Sequence, residues 1–280
     1  MTASTPCVSY VLGDTDREHE RLIRQAAIFN PFTERLLRDA GIGPGQRILG
    51  IGSGLGDVAM LAAKMVGPTG EVVGVERDVS TLAKARSRVA EARLPNVSFM
   101  QSDVGDVASN EPFDAVIGRL ILEFLPSPGA VVRSLSTLVR PGGVIAFQDC
   151  YWGPLLQLTR HLPLRARCAS LIHQAFQRSG ANMDMEHLLY RTFLEAELPA
   201  PKMLIEIPIG DSPEISQWVY DIFCSLRPRM EQHNLPSDEV GDLESLMTRL
   251  EAELASTKTV PACIGLIGAW SQKPRSTQLL

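Results

Sequence analysis

One stretch, residues 46–59 (Q-R-I-L-G-I-G-S-G-L-G-D-V-A), constrains the fold more than any other. Residues 47–51 form a short aliphatic run, the kind that a parallel sheet buries on both faces. Gly52-Ser53-Gly54-Leu55-Gly56 follows without a gap, and residues 57–65 then read as a helix. A strand that turns through glycines into a helix is suited to ligand binding. The glycines allow a sharp turn and a close backbone approach, and the helix start presents unpaired N–H groups.

The dinucleotide fingerprint G-x-G-x-x-G fails from Gly50 and from Gly52, where Leu55 and Asp57 occupy the last position. From Gly54 it is met loosely, ending at Ala59, in a register that sets the phosphate glycines too deep in the helix. Residues 71–76 make a second strand ending in Glu76, where an acid suits ribose hydroxyls. A third strand spans 97–103, a fourth spans 113–118, and Arg140-Pro141-Gly142-Gly143 turns into a fifth over 144–149. Helices are expected between them, one carrying Leu82, Ala85 and Val89 and another over 127–139. Strands alternating with helices at this spacing give a parallel α/β sheet, with a pocket beyond the strands' carboxyl ends.

The succession I-L-G-I-G-S-G-L-G, V-V-G-V-E, S-D-V, F-D-A-V-I-G-R and L-V-R-P-G-G-V resembles the class I S-adenosylmethionine-dependent methyltransferases. The resemblance covers about residues 48–149. It implies a Rossmann-like seven-stranded sheet, helices on both faces, an antiparallel last strand and helical lid insertions. It also implies S-adenosyl-L-methionine as cofactor, with Gly52, Ser53 and Gly54 at its methionine end. Glu76 would meet the ribose and Arg77 the adenine; Asp103 would meet the adenine amino group beside Val104. Arg119 and Leu120 would lie under the sulfonium, and Tyr10 and Gln25, from a helical segment over the cleft, near the methionine moiety. One position departs from the family: Gly50 stands where an Asp or Glu usually helps to hold the ammonium group. That departure keeps a second reading open, a non-methylating cyclase or other enzyme with a structural S-adenosyl ligand. The loose match ending at Ala59 keeps open a third, an NAD-dependent oxidoreductase.

The chain divides into a helical cap (1–43), a cofactor-binding core (44–150), a helical lid (151–182) and the rest of the core (183–280), which has a helical insertion over 212–256. In the cap, Asn30 and Pro31 suggest a break between two helices, the first with Leu22, Ile23, Ala26 and Phe29 on one side. Residues 151–180 read as helical, and Pro228 should end the helix that Ser212 caps. A further helix is expected over 237–255, and the sixth and last strands over 202–209 and 259–270. Methyl transfer needs an aligned nucleophile and sometimes a base. Asp149, at the end of the fifth strand, and Glu123, after the fourth, are candidates, as is His173 on the lid. Trp152, Trp218 and Tyr220 are candidates to line an apolar pocket, and lid helices rich in Leu and Phe favour a small lipophilic or aromatic acceptor, of secondary metabolism. A net charge of −5 gives no general pull toward nucleic acid or acidic membrane. The five cysteines are scattered with no C-x-x-C, so no metal site is indicated and a reducing, cytoplasmic setting is expected. No run is long enough to span a bilayer. A subunit contact, and so a homo-oligomer, is compatible with the extra helices.

Overall fold

The computed structural model describes residues 16–183 and 185–275, so Tyr10 lies outside the described residues. The strands β1 (Arg47–Ile51), β2 (Glu71–Glu76), β3 (Val97–Gln101), β4 (Phe113–Arg119), β5 (Val139–Tyr151), β6 (Lys202–Glu206) and β7 (Gly265–Gln272) form one seven-stranded sheet. Its order is β3-β2-β1-β4-β5-β7-β6. The first five strands run parallel, and β7 is antiparallel to β5 and to β6. The chain runs outward from β1 through β2 to β3, then returns to β4 on the other side of β1. A crevice therefore opens past the ends of β1 and β4.

Alternate residues of each strand face opposite layers. Leu49, Ile51, Val116, Ile145 and Phe147 pack with α4 (Pro128–Thr137) and α7 (Met185–Glu195). Ile48, Val72, Ala115 and Ile117 pack with α2 (Asp57–Val66) and the end of α1 (Asp16–Asp39). The helix α3 (Val79–Glu91) also joins the sheet layers. A further core, rich in aromatics, lies among α5 (Trp152–Leu158), α6 (Pro163–Arg178), α8 (Pro213–Gln232) and α9 (Leu246–Thr257).

Several boundaries differ from the sequence reading. α1 is one helix running through Pro31, because Asn30 does not cap: its Oδ1 accepts from Arg119 Nη1 at 2.9 Å. Ile23 faces solvent, and the buried side of α1 includes Glu18, Arg21 and Gln25. Residues 151–180 hold two helices. α6 starts at Pro163, and its first N–H groups, from Leu164 and Arg165, donate to the Glu253 carboxylate of α9 at 2.7 and 3.0 Å. α8 continues through Pro228, which is exposed, because Leu226 and Met230 on either side are sealed in the core. In place of a helix over 237–255 there is a 3-10 turn, Ser237–Val240, followed by α9. β5 starts early: its register with β4 jumps between Phe113 and Ala115, which places Arg140 to Gly143 in a bulge with Gly142 at φ 78°. β7 starts only at Gly265, since Pro261 has no N–H to give and residues 259–264 keep a single bridge, Ala262 to Ile209.

Candidate functional site

A cleft of about 450 Å³ occupies the crevice and has two unlike ends. The polar end is built on the glycine turn. Gly52, Gly54 and Gly56 have φ of 62°, 50° and 84°, the left-handed region that side chains disfavour. A Cβ at Gly52 would lie 2.9 Å from Ile121, whereas one at Gly54 would meet nothing within 4 Å, so Gly54 turns bare backbone to open space. Ser53 N donates to Val75 O at 2.8 Å and its hydroxyl to Gly50 O at 3.0 Å, which folds the turn back on β1 and β2. Arg88 clamps the other side, donating to Leu55 O and to Asp57 Oδ1, each at 2.7 Å.

Glu76 joins this turn to the end of β2. Its Oε2 accepts from Gly54 N at 2.9 Å, and its Oε1 accepts from Arg77 N at 2.9 Å and Asp78 N at 3.1 Å. A carboxylate has about four acceptor positions, so one is left for an incoming hydroxyl unless a backbone donor yields. Asp78 caps α3, and the Thr81 N–H bonded to its carboxyl holds it below the usual carboxylate range. Asp103 and Val104 follow β3 on the same wall, Asp103 exposed.

The apolar end is walled by Phe124, Leu125, Trp152, Phe176, Met183, Trp218, Ile222 and Ile264. Trp152 holds this wall together, its ring centroid 5.9 Å from Phe176 and 6.1 Å from Trp218. α1 closes the cleft from above. Gln25 Oε1 accepts from Arg21 Nη1 at 2.6 Å and from Trp218 Nε1 at 3.1 Å, and Arg21 makes a two-point ion pair with Glu18 at 2.8 and 2.7 Å. Arg119 and Leu120 lie between the ends. Arg119 donates to Asn30 and Thr33, each at 2.9 Å; burial lowers its pKa to about 10, Asp57 opposes that shift, and it stays a cation. Leu120 takes φ 54°, an unusual value for a side-chain residue, with its N–H on Gln148 O at 2.8 Å.

Glu123 forms part of the floor of the apolar end. It sits in a 3-10 turn, Leu122–Phe124, and its Oε2 accepts from Cys150 Sγ at 2.5 Å. Asp149, fully buried, lies outside the lining and caps that turn instead: its Oδ1 accepts from Ile121 N at 3.0 Å and Glu123 N at 3.4 Å. Burial raises both carboxyls, Glu123 to about 8, with the Asp149 charge adding to the rise, and Asp149 to about 7 against its backbone donors. Burial also pushes the Cys150 thiol up. His173 does not line the cleft; it packs edge-on against Trp152 at 5.8 Å.

Gly52, Ser53, Gly54, Glu76, Arg77, Asp103, Val104, Arg119, Leu120, Gln25 and Glu123 are thus brought to one cleft. Trp152 and Trp218 line it too, and Tyr220 does not. Sequence reasoning passed over His19 and Arg21, which line the cleft from α1, and Asp57 at the start of α2. The spacing of Glu18, Arg21 and Gln25, three and then four residues apart on the stripe of Leu22 and Phe29, was the available signal.

A family model described as a methyltransferase domain matches residues 42–196, more than half of the chain. The chain belongs to this family, the class I S-adenosylmethionine-dependent methyltransferases. Among similar curated proteins is an arsenite methyltransferase of Halobacterium salinarum, 34% identical over 111 residues, which cover 39% of this chain and 28% of that one. Another is a ubiquinone biosynthesis O-methyltransferase of Albidiferax ferrireducens, 35% identical over 112 residues, 39% of this chain and 43% of that one. The matched part of this methyltransferase thus spans less than half the length of either relative. The [4+2]-cyclase SpnF shares the fold, with a TM-score of 0.53 at 14% identity over 88% of this chain and 82% of its own. The loose fingerprint match from Gly54 to Ala59 begins in the glycine turn, with Gly54 and Gly56 ahead of α2 rather than inside it, and the family that the chain matches is the methyltransferases.

Proposed function

We propose that this methyltransferase moves a methyl group from S-adenosyl-L-methionine to a small lipophilic or aromatic metabolite, of the kind made in secondary metabolism. The observation that carries the reading is the two-ended cleft, a glycine-and-carboxylate end continuous with an aromatic one. What supports the cofactor at the polar end is that Gly54 puts no side chain into the open space there, and that Glu76 and Asp103 lie on the same wall, where in this reading they accept from ribose and adenine donors. Gly52, Ser53, Gly54 and Gln25 would hold the methionine end, Arg77 and Val104 would flank the adenine, and Arg119 with Leu120 would lie below the sulfur. When bound, the cofactor supplies an electrophilic methyl group. The chain aligns the acceptor against it, excludes water with its indole and phenyl walls, and offers Glu123 as the one catalytic candidate that reaches the cleft. Asp149 and His173 act, in this reading, through Glu123 and Trp152. No helix among the described residues is long and apolar enough to cross a membrane.

Incubation with methyl-labelled cofactor tests the reading, with hydroquinones and catechols in one arm and arsenite in the other. Label in an aromatic product supports it; label in arsenic alone overturns the acceptor class. Tight binding of S-adenosylhomocysteine with no transfer in any arm favours a structural cofactor, the reading that Gly50 motivates.

A further inference from the structure

We propose that Glu123 and Asp149 work as one proton-accepting unit: Glu123, at the cleft floor, takes the proton that the acceptor loses on methylation, and Asp149, sealed behind it, sets when Glu123 can do so. This rests on the methyltransferase reading above and adds to it a direction for the proton.

Three placements support the division of labour. Glu123 lines the cleft at its apolar end, close to Trp152 and Phe124. Asp149 is fully buried and meets no cleft space, yet its Oδ1 holds the N–H groups of Ile121 and Glu123, so one carboxyl both caps the turn that carries the other and lies beside it. Asp149 Oδ2 is buried without a partner, so its charge is only half compensated and its field falls on Glu123. Cys150 completes the set, its S–H donating to Glu123 Oε2 and so fixing the carboxyl's orientation.

Two carboxyls in one dry place cannot both ionise readily: the first proton leaves easily, and the one that remains is shared and held tightly. The backbone donors favour the charge on Asp149. Glu123 is then the member that is protonated near neutrality, as its raised pKa indicates. In the transfer step the acceptor's heteroatom forms a bond to the methyl carbon. The carbon–sulfur bond breaks with its electron pair going to sulfur, and the heteroatom's proton moves to an ionised Glu123 Oε. No other reactant is needed. The groups facing Glu123 on the neighbouring elements are Asp149 and Cys150 from β5; beyond them the cleft presents Arg119 from β4, Arg21 and His19 from α1, and Asp57 from α2. Of these charges, that of Asp149 acts most strongly on Glu123.

The test uses the full chain, labelled with ¹³C at Asp and Glu carboxyls and saturated with S-adenosylhomocysteine. The resonance lost in Glu123→Gln identifies Glu123. Its midpoint is expected above pH 7, and Asp149→Asn, which keeps an oxygen to cap the turn while removing the charge, should lower it by a pH unit or more. The kcat/KM for the acceptor labelled above should rise with pH to a plateau and shift with the same variant. An ordinary glutamate midpoint, near 4.3, or a midpoint and rate profile that Asp149→Asn leaves unmoved, overturns the proposal. Asp149→Ala is the folding control: its loss of the cap should show as lower thermal stability, separable from the pH shift. Failure of S-adenosylhomocysteine to bind by calorimetry would instead remove the underlying reading, whatever the carboxyls do.

Discussion

At the residue scale, Glu76 has a structural task and a binding task on the same two oxygens. It tethers Gly54, Arg77 and Asp78 through their N–H groups, and it is the acid that the ribose would meet. Glu76→Gln keeps the shape but turns one acceptor into a donor facing backbone N–H groups. Hydrogen bonds to a charged group contribute about 1.5–3 kcal/mol, so S-adenosylhomocysteine should bind about 10- to 100-fold more weakly by calorimetry. An affinity within twofold of the parent would remove Glu76 from the site. Gly50 allows the opposite experiment. Its φ is not left-handed, and a Cβ there would meet Ser53 Oγ at 3.6 Å and Val73 O at 3.9 Å, both ordinary contacts. Nothing steric therefore demands glycine. Gly50→Asp should cost the free protein about 1–3 kcal/mol for a buried carboxylate. It should tighten S-adenosylmethionine binding by about tenfold if the ammonium lies beside the turn, since one charge-assisted bond is worth that much. Stability loss with no gain in affinity would place the ammonium elsewhere.

At the scale of elements, the strands that position the cleft were legible because their signals are local. Aliphatic runs ending in glycine or an acid give β1, β2 and β4 with nearly their observed ends. The helices were less legible wherever tertiary contacts override a local rule. Pro31 and Pro228 read as breaks, yet both lie on exposed turns of continuous helices, anchored on their other sides by Phe29 and Thr33, and by Leu226 and Met230. The start of α6 depends on Glu253, 88 and 89 residues away, and no sequence window contains that contact. The same holds for the site. Glycines and strand-end acids announced the polar end, while His19 and Arg21 sit in the cleft only because α1 lies across it. Pro31 tests this view of α1. Pro31→Ala restores an N–H for the preceding turn and removes the ring's clash, worth up to about 3 kcal/mol in a helix interior, against about 0.4–1 kcal/mol lost through a freer unfolded chain. The helix should therefore gain about 2 kcal/mol in urea melts, with binding of S-adenosylhomocysteine unchanged. A destabilised variant would mean that the proline itself is needed where α1 brings Asn30 to Arg119.

For the molecule as a whole, the sheet order collects the ends of β1, β2, β4 and β5 at one crevice, and it sets Glu123, on the cleft floor, beside the fully buried Asp149. That arrangement links global stability to pH. In the unfolded chain the two groups titrate near about 4.3 and 3.9. In the folded chain they titrate higher, Glu123 at about 8 and Asp149 at about 7. Between those limits the folded state binds more protons than the unfolded one, so stability falls as pH rises. The contribution is complete below about pH 4 and is gone above about pH 8. Glu123→Gln cannot ionise and removes the titrating partner of Asp149. Between pH 5 and pH 8.5 the parent should therefore lose about 2 kcal/mol or more of unfolding free energy relative to this variant, because each tenfold difference in proton affinity between the folded and unfolded chain is worth about 1.4 kcal/mol. Urea melts of both proteins at the two pH values measure the difference directly. Parallel losses in the two proteins would mean that water reaches Glu123 freely and that the floor of the cleft is not dry.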